Sequence, residues 1–356
     1  MTKSPVASTS RRDRNALVWG GLLVGCVVSV LLAAAFGSVP IPAGDTVKVL
    51  TGGHLPDDGL DFILRNVRLP RITTAALVGA ALGVAGLQMQ TLFRNPLADP
   101  YILGANSGAS LGVALVALTA GTAGAASFAG GLAGWGRAGS VAAAAIGAAV
   151  VLGLVLLFSV WVHSAVTLLL IGVMIGSVTG SLVAVLIVYA DPNSVKEYMM
   201  WGLGTFSATS WDDLKIAAPV VLFGILVSLA SVRSLNALLL GEEYARSMGI
   251  DLRITRATTL LSAAILTGVV TAYCGPVGFL GLVIPHIARG LFGTANHRIL
   301  LPACVVVGAL LAVWCGVIAE LPGQDNALPL NAVTALIGAP IVITVLLRGR
   351  GQGGAV

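Results

Sequence analysis

Charge is scarce in this sequence. Asp, Glu, Lys and Arg make up 10% of its 356 residues, whereas hydrophobic residues make up 57% and the mean hydropathy is +0.96. Soluble domains are about one quarter charged, so this composition excludes them and points to an integral membrane protein. The apolar runs lack two-residue alternation, which excludes the strands of a lipid-facing barrel. Helices are left as the spanning element.

Other absences narrow the chemistry. Cys26, Cys274, Cys304 and Cys315 stand singly in apolar runs, without CxxC or His-rich spacing, so zinc, haem attachment and a redox pair are excluded. They read as small buried apolar residues. Lysine occurs only at 3, 48, 196 and 215, after Thr, Val, Val and Leu. A Walker A loop needs Gly-Lys, so this chain has no such loop for ATP. Ala138 to Ala190 carries no Asp, Glu, Lys or Arg. Ion-coupled transporters place such groups within their spans, which argues against that class. His163 and His286 are the titratable candidates at depth, and both read first as satisfied structural histidines. An intramembrane protease would need Gly at the Ala105 position of Ala105-Asn106-Ser107-Gly108.

What is present is a set of ten apolar runs, near residues 16–37, 71–93, 103–120, 139–162, 165–190, 214–233, 255–273, 279–292, 299–319 and 330–347. A spanning helix needs about 20 such residues. The expected fold class is therefore an all-α polytopic membrane protein of about ten spanning helices, the eighth a short or half-helix after Gly275-Pro276. The first run is too long for a signal peptide and is expected to be retained. With the N-terminus inside, thirteen of the 20 Lys and Arg residues fall in inward stretches, including Arg14, Arg94, Arg246, Arg253 and Arg298. That matches the positive-inside rule, and it accounts for the net charge of +5 without a nucleic acid partner. Both termini are expected in the cytoplasm, as tails 1–15 and 349–356 around a transmembrane domain at 16–348. Gly79 and Gly83, and Gly172, Gly176 and Gly180, recur at four-residue spacing that lets helices approach closely. RIT at 71–73 and at 253–255 gives a faint echo of an inverted repeat.

Charge returns in LLLGEEYARSMGIDLRITRAT, residues 238–258. Glu242 to Met248, bounded by Gly241 and Gly249, reads either as a docking element for a cytoplasmic partner or as a solvated loop. Asn95-Pro96 and Asp99-Pro100 predict a non-helical turn at the inner end of the second run, and Pro285 suits the first turn of a short helix.

Four blocks carry a specific resemblance: RLPRITTAALVGAALGVAGLQMQTLFRNPLADPYILGANSGASLG at 68–112, LGEEYARSMGI at 240–250, GPVGFLGLVIPHIAR at 275–289 and LPLNAVTALIGAPIVI at 328–343. In order and spacing they resemble the FecCD family, the permease subunits of ATP-binding-cassette importers for ferric siderophores, haem and cobalamin. The resemblance implies a transport subunit rather than an enzyme, with ten helices. Its implied partners are a second permease subunit, identical or not, two cytoplasmic ATPases, an extracytoplasmic binding protein and membrane lipid. No cofactor is expected on this chain, ATP and magnesium being held by the ATPase. A ferric siderophore is the favoured cargo, ahead of haem and cobalamin.

By the same resemblance the coupling segment near 236–254 docks the ATPase through Leu240, Gly241, Glu242, Glu243, Tyr244, Arg246, Met248 and Gly249. Arg68 and Arg71 match arginines that receive acidic residues of the binding protein. Glu320 stands where many members carry arginine, and Ala327 where glutamate is common, so Glu320 is expected to meet a basic residue of that partner. Asn95, Pro96, Pro285 and His286 fall at the gate or path.

Overall fold

The computed structural model describes residues 11–37, 39–118, 136–162, 164–320 and 328–352. Among them there is no strand. The helices, in chain order, are α1 (Arg11–Ala35), α2 (Ala43–Leu50), α3 (Asp58–Phe62), α4 (Leu69–Leu92), α5 (Ala105–Ala117), α6 (Arg137–Trp161), α7 (Ala165–Tyr189) and α8 (Pro192–Gly202), then α9 (Trp211–Ala230), α10 (Val232–Leu238), α11 (Glu242–Ser247), α12 (Leu252–Cys274), α13 (Leu280–Phe292), α14 (His297–Ala319) and α15 (Leu330–Gln352). A π-helical turn at Ile63–Arg68 joins α3 to α4.

Seven helical stretches are long and apolar enough to cross a membrane, and three shorter apolar helices, Ala105–Ala117, Leu280–Phe292 and Leu330–Thr344, complete a set that matches the ten runs. The third run is shorter than the sequence suggests. Pro100–Leu103 forms a 3₁₀ turn and Gly104 adopts φ 82°, so α5 begins only at Ala105 and has 13 residues. Helix starts follow their capping residues. Asp251 accepts from the N–H groups of Arg253 and Ile254 at α12, and Ser210 and Asp213 form a capping box at α9. At α8, Asp191 caps a helix with Pro192 in its first turn, and the Ser194 N–H and hydroxyl, followed by the Asn193 N–H, hold its carboxyl below the usual range.

The centre of the bundle is α4, buried from Pro70 to Leu92 apart from a few positions. A helix that is apolar all round belongs inside. Its Gly79 lies against Gly308 of α14, its Gly83 against Cys304 and Ile284, and its Gly86 against the Gly281 carbonyl of α13. A side chain at Gly79 or Gly86 would occupy the space of the neighbouring backbone, so the four-residue spacing has the packing role anticipated for it. Gly112 and Gly108 of α5 make the same kind of approach to Ala143 and Gly147 of α6, a pair the sequence reading did not single out. Gly180 of α7, by contrast, meets nothing within 4 Å.

The helix ends sort into two polar layers. At one end Arg14 of α1 donates to the Phe292 carbonyl that closes α13 (3.2 Å), while Thr91 of α4 and Asn236 of α10 bracket the His297 ring at 2.8 and 2.9 Å. The opposite end holds Arg68, Arg71, Glu320 and Thr74, the last bonded to Thr209 at 2.5 Å.

Candidate functional site

The charged segment folds as a short helix set between two glycines that only glycine suits, Gly241 at φ 112° and Gly249 at φ 79°. Ala245, fully buried, seats α11 on the bundle, and the Ile250 N–H closes onto the Ala245 carbonyl at 3.1 Å. Leu240, Tyr244 and Met248 point the other way, 64%, 53% and 58% exposed. Tyr244 is held outward on the helix itself, and Leu240 and Met248 flank it on either side. The two glutamates differ. Glu242 accepts a 2.6 Å bond from the buried Arg256 of α12, so it faces inward, whereas Glu243 and Arg246 stay exposed. A cleft of 710 Å³ opens beside α11, lined by Leu240, Glu242, Glu243 and Tyr244 and also by Arg94 from the end of α4.

At the opposite end the structure corrects the sequence reading. Arg68 is 3% exposed and donates to the carbonyls of Ala34 (2.6 Å), Ala35 (3.1 Å) and Val39. Those carbonyls belong to the end of α1 and the turn after it, and the Ala35 carbonyl also accepts from the Ile41 N–H at 3.1 Å, so the guanidinium helps to close that helix and is turned into the fold. Arg71, 7% exposed, forms an ion pair with Glu320, which also accepts from the Ser207 hydroxyl at 2.5 Å. Glu320 therefore meets a basic residue of its own chain where a partner's was expected. Proximity across more than two hundred residues is invisible in the sequence, although the swapped charge at Glu320 was a signal that its neighbourhood is unusual.

The turn residues converge on a third place. Asn95 makes an Asx turn, accepting from the Leu97 N–H at 2.9 Å, and Pro96 is exposed beside it. The Asp99-Pro100 pair does not stay at the end of α4. Pro100 packs on Gly281, next to Gly86, so the chain folds back along α4 before α5 starts. There Tyr101 accepts from the Val277 N–H (3.3 Å), and Asn331 accepts from the Gly278 N–H (2.9 Å) while donating to the Gly202 carbonyl (3.1 Å). These bonds hold the break between α12 and α13, where Phe279 adopts φ 67°. A cavity of 310 Å³ lies at the break, lined by Asp99, Tyr101, Asn106, Phe279 and Asn331. Asn106 and Asn331 were not anticipated there, because nothing local marks them.

Pro285 sits well inside α13 rather than in its first turn, because the helix starts directly after Phe279. It has no N–H to offer the Gly281 carbonyl, which instead lies against Gly86. His286 bonds the Leu282 carbonyl at 2.8 Å through Nδ1. His163 and Ala327 lie outside the described residues.

Comparison with known proteins agrees with this architecture. A sequence model of the FecCD transport family matches residues 25–348. The hemin transport system permease protein HmuU of Yersinia pestis is 34% identical over 339 residues, covering 95% of this chain and 99% of the relative. The vitamin B12 import system permease protein BtuC of Klebsiella pneumoniae is 36% identical, covering 96% of each chain. A solved structure described as a metal-chelate-type ATP-binding-cassette transporter in an inward-facing conformation superposes with TM-score 0.80 at 28% identity, covering 94% of this chain and 99% of its own. With ten apolar helices among the described residues, the glycine-packed α4 one of them, and a family match over nearly its whole length, the chain belongs to the FecCD transport family, the multi-pass inner-membrane permeases of ATP-binding-cassette importers, whose ATPase is a separate subunit.

Proposed function

We propose that this permease imports a ferric siderophore, working beside a second permease subunit, two cytoplasmic ATPases and an extracytoplasmic binding protein. The α11 end faces the cytoplasm in this reading, supported by Arg14, Arg94, Arg246, Arg253 and Arg298, which gather there. Both chain termini then lie on that side. The observation that carries the reading is α11 itself, a glycine-bounded helix that, with the residues beside it, turns Leu240, Tyr244 and Met248 outward for an ATPase groove, with Glu243, Arg246 and the bounding Gly241 and Gly249 setting its register. ATP and magnesium sit on that partner.

The second permease subunit covers α7, which exposes Val166, Leu170, Met174, Val178, Leu182 and Val185 along its length. Ser177 and Ser181 share that exposure and line the path between the two copies. ATP hydrolysis rearranges the pair so that this path opens alternately to either side, with the Asn95-Pro96 turn and α13, through Pro285 and His286, acting near the inner gate. The binding protein meets the opposite end through its exposed charges, such as Asp58, Lys196 and Glu197, since Arg68, Arg71 and Glu320 act within the fold. The likeness to a metal-chelate transporter favours an iron chelate, whereas the hemin and vitamin B12 relatives keep those two cargoes in the comparison.

The complex of this chain with its ATPase and binding protein, reconstituted in liposomes, tests the reading. ATP-dependent uptake of labelled ferric siderophore is expected. Uptake of haem or cobalamin alone would replace the cargo, and uptake without ATP would remove the importer.

A further inference from the structure

Arg94 ends α4 in the left-handed region, with φ 47°, at the position where helices usually place glycine or asparagine. Its N–H reaches the Thr91 carbonyl at 3.2 Å, and the Asn95 N–H reaches the Gln90 carbonyl at 3.1 Å, so the helix closes as a glycine would close it. Glycine would relax this backbone without loss of a bond, since both are made by main-chain atoms. A charged residue held at a strained position invites a functional explanation.

The side chain supplies one. Arg94 is exposed and lines the 710 Å³ cleft beside α11 together with Leu240, Glu242, Glu243, Tyr244 and Ser247. Glu242 is already paired with Arg256, which leaves Arg94 as the cleft's cation and Glu243 as its second acid. We propose that the ATPase docking site is composite, and that Arg94 receives an acidic side chain of the ATPase in this cleft. The inference rests on the docking role given to α11. Its consequence is mechanical: one partner element would grip α11 and, at the same time, the residue directly before Asn95-Pro96. Docking is thereby coupled to the turn that runs back to the cavity at Phe279, without passing through α12.

The full-length chain in nanodiscs of zwitterionic lipid, titrated with the purified ATPase, tests this with Arg94→Gly, Arg94→Lys and Glu243→Arg. Arg94→Gly is expected to unfold at the same or higher denaturant concentration while binding the ATPase about ten-fold more weakly, with a shallower salt dependence. Arg94→Lys keeps both the charge and the strained backbone and is expected to bind within a few-fold of wild type. Wild-type affinity in Arg94→Gly would overturn the inference, as would weak binding accompanied by lower stability. If Glu243→Arg weakens binding and Arg94→Gly does not, only the role of Arg94 falls. If Glu243→Arg also binds normally, the docking of α11 falls with it.

Discussion

At the end of the bundle that carries them, Arg68, Arg71 and Glu320 close on one another or on backbone carbonyls, beside exposed charges such as Asp58; at the α11 end, Arg94, Glu243 and Arg246 stay exposed. Both layers hold arginines and carboxylates, and composition alone does not separate them. Burial does. A buried pair fixes the shape of its own chain, and breaking it strands a charge, whereas an exposed charge acts chiefly on orientation and encounter with a partner. The Arg68, Arg71 and Glu320 cluster should therefore respond to mutation through stability, and Arg94, Glu243 and Arg246 through assembly.

The sharpest break in that contrast comes from the Arg71–Glu320 pair. Arg71→Leu alone should cost about 3–5 kcal/mol, because it leaves the Glu320 carboxylate partly buried without its cation. The double change Arg71→Leu with Glu320→Leu should recover most of that loss, since an apolar pair needs no compensation. Chemical denaturation in mixed micelles measures both. A cost below about 1 kcal/mol for the single change would place the pair with exposed surface ion pairs and return both residues to the binding-protein surface.

How far these two ends could be read in advance follows from the range of the interactions involved. The ten runs were legible because a spanning helix is specified by its own consecutive residues, and the Gly79–Gly83 spacing was legible because helix periodicity puts both on one face. The Gly241–Gly249 segment stood out because its charges are local. The pairing of Arg71 with Glu320, the fold-back of Asp99-Pro100 onto Gly281 and the use of Asn331 to hold the α12–α13 break all join residues far apart in sequence. Residue type gives no partner for such contacts. Arg94 lies between these cases: its place just before Asn95-Pro96 marks a helix end, but its strained conformation shows only in the backbone.

A smaller effect is expected where the two ends resemble each other most, at Glu242 and Arg256. This pair is less buried than Arg71–Glu320, and reversing either charge should cost about 1–2 kcal/mol, between the exposed and buried limits. Glu242→Arg and Arg256→Glu should each impair ATP-driven uptake, because α11 loses its tie to α12. Combining the two reversals should restore uptake if the pair works within the chain. Failure of the combined variant to recover, despite normal insertion and stability, would mean that Glu242 meets the ATPase directly and that the bond to Arg256 is released on docking.

The smallest effect on stability belongs to Glu243. Its carboxylate is exposed, and Glu243→Arg should change unfolding by no more than about 0.5 kcal/mol. The same substitution should lower association with the ATPase, and do so chiefly through a slower on-rate that converges on wild type as salt is raised, because exposed interfacial charges steer encounter. Stopped-flow association at two ionic strengths reads this directly. A stability loss as large as that at Arg71 would erase the contrast between the two ends, since both would then hold charge for the fold. Unchanged stability with a salt-sensitive on-rate would place Glu243 on a docking surface and set it apart from Glu242, its immediate neighbour in sequence.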